Sequence, residues 1–202
     1  MWVVKIGGSL ETAPGLGELL ALLVEYGRSK MIIVPGGGRF ADRVRAEQRA
    51  VAMDDATAHR LAIQAMEQYA NLLCGMHTRL YPVTDAGEIC SAGGKSTVPV
   101  WLPGKLLDGQ PDIPANWQVT SDSLALWFAG KINAEALILV KSAPNKTNNA
   151  QELAATGYLD EYFPQMMKQT RLRIIACVCI NEPDLLQQAL VSSSIPPDRW
   201  IV

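Results

Sequence analysis

The sequence predicts an α/β fold, a three-layer αβα sandwich with a mainly parallel central sheet. Short apolar, β-branched runs alternate with longer helix-like segments along the 202 residues. The runs are apolar at successive positions, the mark of strands covered on both faces, and helical segments between them supply the crossovers. One domain over residues 1–202 is expected, since 49% hydrophobic residues suffice for a buried core at this length.

The chain opens on a strand at 2–6 (WVVKI), and a helix at 15–28 follows a glycine-rich turn. MIIV at 31–34 is the second strand; helices at 40–51 and 55–76 come next. Strands are expected at 79–83 and 97–102, the second inside a stretch at 84–118 that carries Gly and Pro at many positions. The helix at 121–132 leads to the strand EALILV at 135–140, then to a polar loop at 142–150. Helices at 160–169 and 183–192 flank a strand at 173–180, and 199–202 reads as a last strand. In such folds the loops past the strand C-termini carry the ligand chemistry.

A formal net charge of -2 with no basic run argues against nucleic acid or an acidic membrane as partner. The N-terminus lacks a signal-peptide pattern, and no apolar stretch reaches the roughly 18 residues of a membrane span. A cytoplasmic protein is expected. Cys74, Cys90, Cys177 and Cys179 read as buried, reduced thiols. His59 and His77 stand far from a second ligand in sequence, so no structural zinc site is expected.

Three strand-end segments could carry chemistry. In VVKIGGSL, Lys5 ends a strand and Gly7, Gly8 and Ser9 follow it. Glycines let backbone N–H groups close on phosphate oxygens, and a helix start adds positive partial charge. In MIIVPGGGRFAD, Gly36, Gly37 and Gly38 again lie between a strand and a helix. In QVTSDSLALWFAGKIN, Ser121 and Asp122 open a helix, where Thr120, Ser121 or Asp122 could equally be a plain N-cap. Gly36-x-Gly38-x-x-Ala41 imitates a dinucleotide fingerprint, yet no second strand precedes Asp54 or Asp55. Gly94-Lys95-Ser96 imitates a Walker A loop, but Ile89 stands at its first glycine position and a strand follows it.

Taken together and in this order, Lys5-Ile6-Gly7-Gly8-Ser9, Pro35-Gly36-Gly37-Gly38 and Thr120-Ser121-Asp122-Ser123-Leu124-Ala125 resemble the amino acid kinase superfamily. The chain is most similar to its short archaeal-type branch, on VPGGGRFAD, DDATAHRLAIQAME, LVKS and GYLDEYFP. That branch converts the phosphate ester of 5-(aminomethyl)-3-furanmethanol to its diphosphate in methanofuran biosynthesis. The resemblance implies an ATP-dependent kinase, with Mg²⁺ held mainly by the ATP phosphates, a small anionic acceptor and a homo-oligomer. The alternatives are a kinase of another small acid or phosphate monoester, and a non-catalytic ligand-binding protein on the same fold.

By resemblance Lys5 stabilises the transferring phosphoryl group, and Asp122 aims a catalytic lysine. Gly7, Gly8 and Ser9 bind donor phosphates, while Gly36, Gly37, Gly38 and Arg39 face the acceptor. The superfamily's Thr-Asp pair after its nucleotide-side strand is replaced here by Val140-Lys141, with Pro144 where a glycine is expected. This makes Lys141 a candidate second catalytic cation; Lys168 could stand in for the superfamily's late lysine. Tyr158 and the 142–150 loop are assigned to the adenine side. Two anions must meet, so Arg39 or Arg43 could supply a third cation, and Asp42, Asp54 or Asp55 could receive an acceptor amine. Trp101, Trp117, Trp127 and Phe128 read as core or subunit contact, as do Met66, Tyr69 and Leu73.

Overall fold

Among the described residues six parallel strands form one sheet, in which residues 80–83, 98–101, 31–35, 2–6, 136–141 and 174–179 lie side by side in that order. They are β1 (Trp2–Ile6), β2 (Met31–Pro35), β3 (Leu80–Val83), β4 (Val98–Trp101), β5 (Ala136–Lys141) and β6 (Ile174–Cys179). The computed structural model describes residues 1–27, 30–85, 87 and 96–202; Cys90 and the Gly94-Lys95 pair lie outside the described residues. The helices are α1 (Leu16–Tyr26), α2 (Gly38–Val51), α3 (Asp55–Met76), α4 (Gly104–Leu107), α5 (Ser121–Lys131), α6 (Ala150–Ala155), α7 (Phe163–Gln169) and α8 (Pro183–Ser192). Among the described residues no helix is long and apolar enough to cross a membrane.

Strand periodicity sorts the core into two layers. Trp2, Val4 and Ile6 face α1 and α8, where Leu19, Leu20 and Leu23 meet Leu186 and Leu190. Val3, Val34, Leu137 and Leu139 face α5 and α7, where Leu124 to Ala129 meet Phe163 and Met166. Because α5 is apolar almost all round, it can be stable only where it is, covered by the sheet on one side and α7 on another. Helix α3 straddles the layers: Met66 joins one cluster and Tyr69 the other.

Three expectations need correction. Residues 199–202 form no strand; a single antiparallel bridge joins Trp200 to Ala176. The 3-10 turn Pro197–Arg199 precedes it, and Val202 N–H then donates to Asn148 O in a loop, which takes the backbone off the sheet edge. The polar 142–150 stretch runs into a helix, α6, whose N-cap Asn149 accepts from Glu152 N–H at 3.1 Å. Of the thiols expected to be buried, Cys177 and Cys179 are, and burial pushes the Cys177 thiol up to about 12, but the free Cys74 in α3 is only half-buried.

Candidate active site

The C-terminal ends of β1, β2 and β5, three adjacent strands, bring the predicted segments together. Lys5 pairs in register with Val34 and Leu139, and it shares the α5-facing side of β1 with Val3. Lys141 lies two residues beyond Leu139, so the same periodicity turns it toward α5. Asp122, in the first turn of α5, meets both. Lys5 Nζ is 2.7 Å from Asp122 Oδ1 and Lys141 Nζ is 2.6 Å from Oδ2. Lys141 Nζ also donates to the Tyr158 carbonyl at 2.7 Å and lies 5.2 Å from the Tyr158 ring centre.

These charges are out of water: Lys5 is 4% exposed and Asp122 5%. Burial pulls the Lys5 ammonium below the ordinary lysine range, against the attraction of Asp122. Burial pushes the Asp122 carboxyl up, but Lys5 and Lys141 outweigh it and hold the group at about 2. The carboxylate is therefore anionic and shared, and one fixed anion aims two cations.

Asp122 is not the helix cap. Thr120 is the N-cap residue and its own side chain makes no capping bond. The cap comes from Asp160, outside the helix. Its Oδ2 accepts from Thr120 N–H at 3.0 Å, Thr120 Oγ1 at 3.1 Å and Ser123 N–H at 2.9 Å, and its Oδ1 accepts from Ser123 Oγ.

The two glycine loops touch backbone to backbone. A Cβ on Gly36 would fall 2.3 Å from Gly8 N, and one on Gly8 would fall 2.4 Å from Gly38 N. Gly38 adopts φ +55°, which glycine tolerates best. Gly7 N–H donates to Val140 O, and Gly36 N–H to Ile6 O, tying both loops to the strand ends. Ser9 Oγ donates to Ser142 Oγ at 3.3 Å.

Beside these loops lies a cavity of about 430 Å³. Gly8, Ser9, Gly37, Gly38 and Arg39 line it, together with an apolar wall of Ile63, Met66, Val119 and Leu124. Gly7 and Gly36 fill the joint behind it rather than its surface. Arg39 is committed: its backbone N–H and guanidinium bind Glu11 at 2.8–3.1 Å. Desolvation pushes the Glu11 carboxyl up, and the Arg39 hydrogen bonds outweigh it and hold it below the ordinary glutamate range. Arg43 pairs with Glu47.

Trp117, expected in the core or at a subunit contact, lines the cavity instead. Its Nε1 donates to Gln48 Oε1 at 2.5 Å and the Arg45 guanidinium lies 4.3 Å from its ring centre. Met66 lines the cavity as well as packing in the core. Asp42 is on the cavity wall, paired with Arg45 at 3.1 Å. Asp54 caps α3 by accepting from Thr57 N–H, and Asp55 accepts from Gln48. His59, also lining the cavity, is pulled below the ordinary histidine range by burial. Lys168 is exposed in the last turn of α7; Lys141 is the second cation on Asp122. Asp160 and Glu11 were missed by the sequence reading, since no local pattern ties either to its partner.

The amino acid kinase family model matches residues 1–153. A (5-(aminomethyl)furan-3-yl)methyl phosphate kinase from Methanocaldococcus jannaschii is 28% identical over 189 residues, which cover 85% of each chain. Among solved structures, a uridylate kinase from Archaeoglobus fulgidus superposes with a TM-score of 0.67 at 16% identity, over 94% of this chain and 95% of that one. An isopentenyl phosphate kinase superposes with a TM-score of 0.63 at 14% identity, over 96% and 98%. The solved structures share the fold; the matched family model and the curated relative carry the kinship. The chain belongs to the amino acid kinase family, as a small-molecule phosphotransferase.

Proposed function

We propose that the protein transfers the terminal phosphoryl group of ATP to (5-(aminomethyl)furan-3-yl)methyl phosphate, giving the diphosphate. The observation that carries this reading is the pair of buried lysines held on Asp122, beside a cavity with glycine amides at one end and an apolar wall along its side. The relative from Methanocaldococcus jannaschii supplies the acceptor.

Phosphoryl transfer through a loose transition state needs positioning and charge neutralisation more than covalent help. Lys5 and Lys141 supply two ammonium groups at the meeting of the strand ends, where a phosphate lying over them would replace part of their hold on Asp122. Amides of Gly8, Gly37 and Gly38 close on phosphate oxygens from the other side. The acceptor oxygen is already an anion, so the reaction asks for no general base. In this reading the furan ring packs on the wall of Ile63, Met66, Val119 and Leu124, and Asp42 exchanges its Arg45 partner for the aminomethyl group.

Asp122, Asp160 and Glu11 are each committed to partners within the chain. A Mg²⁺ ion therefore fits on the donor phosphates rather than on these carboxylates, where it would neutralise charge. Ser142 to Asn149 and Tyr158, whose hydroxyl donates to Ala143 O, form the adenine side of this reading.

The test is ADP release with ATP and a panel of acceptors: the furan phosphate, isopentenyl phosphate, uridylate, aspartate and acetylglutamate. Turnover with the furan phosphate at least about 100-fold above the others is expected, since a site built for polar groups rejects acceptors that leave them unpaired. Preference for another acceptor rejects the furan assignment, and binding without turnover of any acceptor rejects catalysis.

A further inference from the structure

The helix end that holds the lysine pair is itself held by one side chain from outside the helix, Asp160. We propose that Asp160 is a positioning residue for phosphoryl transfer: by capping α5 from outside, it fixes Asp122 and so the aim of Lys5 and Lys141. The inference rests on the roles proposed above for those three residues.

The first N–H groups of a helix have no partners within it, and a side chain at the N-cap usually supplies one. A Thr at position 120 could do that alone. In this chain Thr120 instead gives both its N–H and its hydroxyl to Asp160, and Ser123 does the same. Asp122 sits between these two anchored residues. A first turn that frays would carry the Asp122 carboxylate with it and open both ion pairs, now 2.7 and 2.6 Å.

The same segment grips the other partner as well. Two residues before Asp160, the Tyr158 carbonyl accepts from Lys141 Nζ at 2.7 Å. Residues 158–160 thus fix a cation through a backbone oxygen and its counter-anion through a helix end. The arrangement is electrostatically demanding. Burial and the neighbouring Asp122 charge push the Asp160 carboxyl above the ordinary aspartate range, against its hydrogen bonds from Ser123 and Thr120. A second, half-buried carboxylate beside the first is a poor choice for a cap alone; it makes sense as a brace linking helix to segment.

The experiment compares Asp160→Ala, Asp160→Asn, Asp122→Asn and the double variant Asp160→Ala/Asp122→Asn, all as folded protein purified by size. Rates are measured with ATP and whichever acceptor turns over fastest. Asp160→Ala should lower kcat by about 10- to 100-fold with both KM values within about threefold, the scale for a misplaced catalytic group. Asp160→Asn should recover to within about fivefold: its amide oxygen can accept both backbone N–H groups and its NH₂ can donate to Ser123 Oγ.

The double variant should be no slower than Asp122→Asn alone, within about threefold, because both changes act on one element. Multiplying effects, or a lowered Tm with unchanged kcat, would make Asp160 a structural cap and overturn the proposal. An unimpaired Asp122→Asn would remove the lysine-aiming roles themselves, and this inference with them. A crippled Asp122→Asn beside a normal Asp160→Ala would remove this inference alone. A crystal structure of Asp160→Ala gives a readout that needs no turnover: Asp122 separated from at least one lysine supports the brace, and both ion pairs intact refute it. Should Asp160→Ala fail to fold, Ser123→Ala, which deletes one hydroxyl donor, carries the same comparisons.

Discussion

Lys5 Nζ and Asp122 Oδ1 meet at 2.7 Å, one side chain from the middle of the sheet and the other from the helix above it. Neither is exposed to an extent that water could screen, so Lys5 needs Asp122 to remain charged, and Asp122 needs its lysines. The pair thereby couples the position of a helix end to the charge state of a strand end. Lys141 holds the other oxygen of Asp122 at 2.6 Å, so the carboxylate has a second cation beside Lys5.

Removing Lys5 should therefore affect chemistry more than architecture. Lys5→Ala is expected to lower turnover by about 10²–10³-fold, the scale of one preorganised transition-state contact. Lys141 still compensates Asp122, so circular dichroism should show a folded protein. Turnover within threefold of the wild type, per folded molecule, would remove Lys5 from the mechanism.

Acid should weaken the fold through Asp122. Its folded value of about 2 lies below the ordinary aspartate value of about 3.9, so its contribution is present above the unfolded value and lost as pH falls toward 2. The loss amounts to about 2 kcal/mol. Asp160 is shifted the opposite way, so Asp160→Asn should leave this acid limb in place while Asp122→Asn flattens it. Urea unfolding in steps from pH 6 to pH 2 measures both; an equally steep limb in Asp122→Asn contradicts the assignment.

Two glycine-to-alanine changes should move stability in opposite directions. Gly36→Ala puts a methyl 2.3 Å from Gly8 N, a backbone atom that cannot step aside, and should destabilise by about 1–3 kcal/mol. Gly17→Ala, inside α1 with nothing within 4 Å of the new methyl, should stabilise by about 0.5–1 kcal/mol. Thermal melts of the two variants side by side decide it.

Trp117 should govern acceptor affinity. Trp117→Ala removes an aromatic wall of the cavity and the seat of Arg45, and should raise the acceptor KM about tenfold, equivalent to about 1.4 kcal/mol. The ATP KM and kcat should stay within about twofold, as expected for uniform binding energy. A change in kcat alone would place Trp117 closer to the reacting atoms than its contacts imply.

The strands and glycine loops were legible in sequence because each is a local signal: an apolar β-branched run, then residues without Cβ. Period two on β1 and β5 even places Lys5 and Lys141 on one face. What local pattern could not show was which of Thr120, Ser121 and Asp122 caps α5, because the cap arrives from Asp160, 37 positions further along the chain than Ser123. Trp117 was read as core or subunit contact for a similar reason: whether an aromatic faces a neighbour or a cavity depends on α2 packing beside it. The apolar tail at 199–202 looked like a strand, but the 3-10 turn before it and the Val202 to Asn148 bond take its backbone elsewhere.

The contact between Gly8 and the Gly36–Gly38 loop also bears on how this chain can change over generations. Gly8 and Gly36 stand at backbone distances that a single methyl would violate, so neither admits a side chain without breaking the joint at the glycine end of the cavity. The opposite wall, built from Ile63, Met66, Trp117 and Val119, is made of side chains whose size and polarity can be exchanged one at a time. Drift in what the cavity can hold is thus channelled to that wall, while the glycine joint stays frozen.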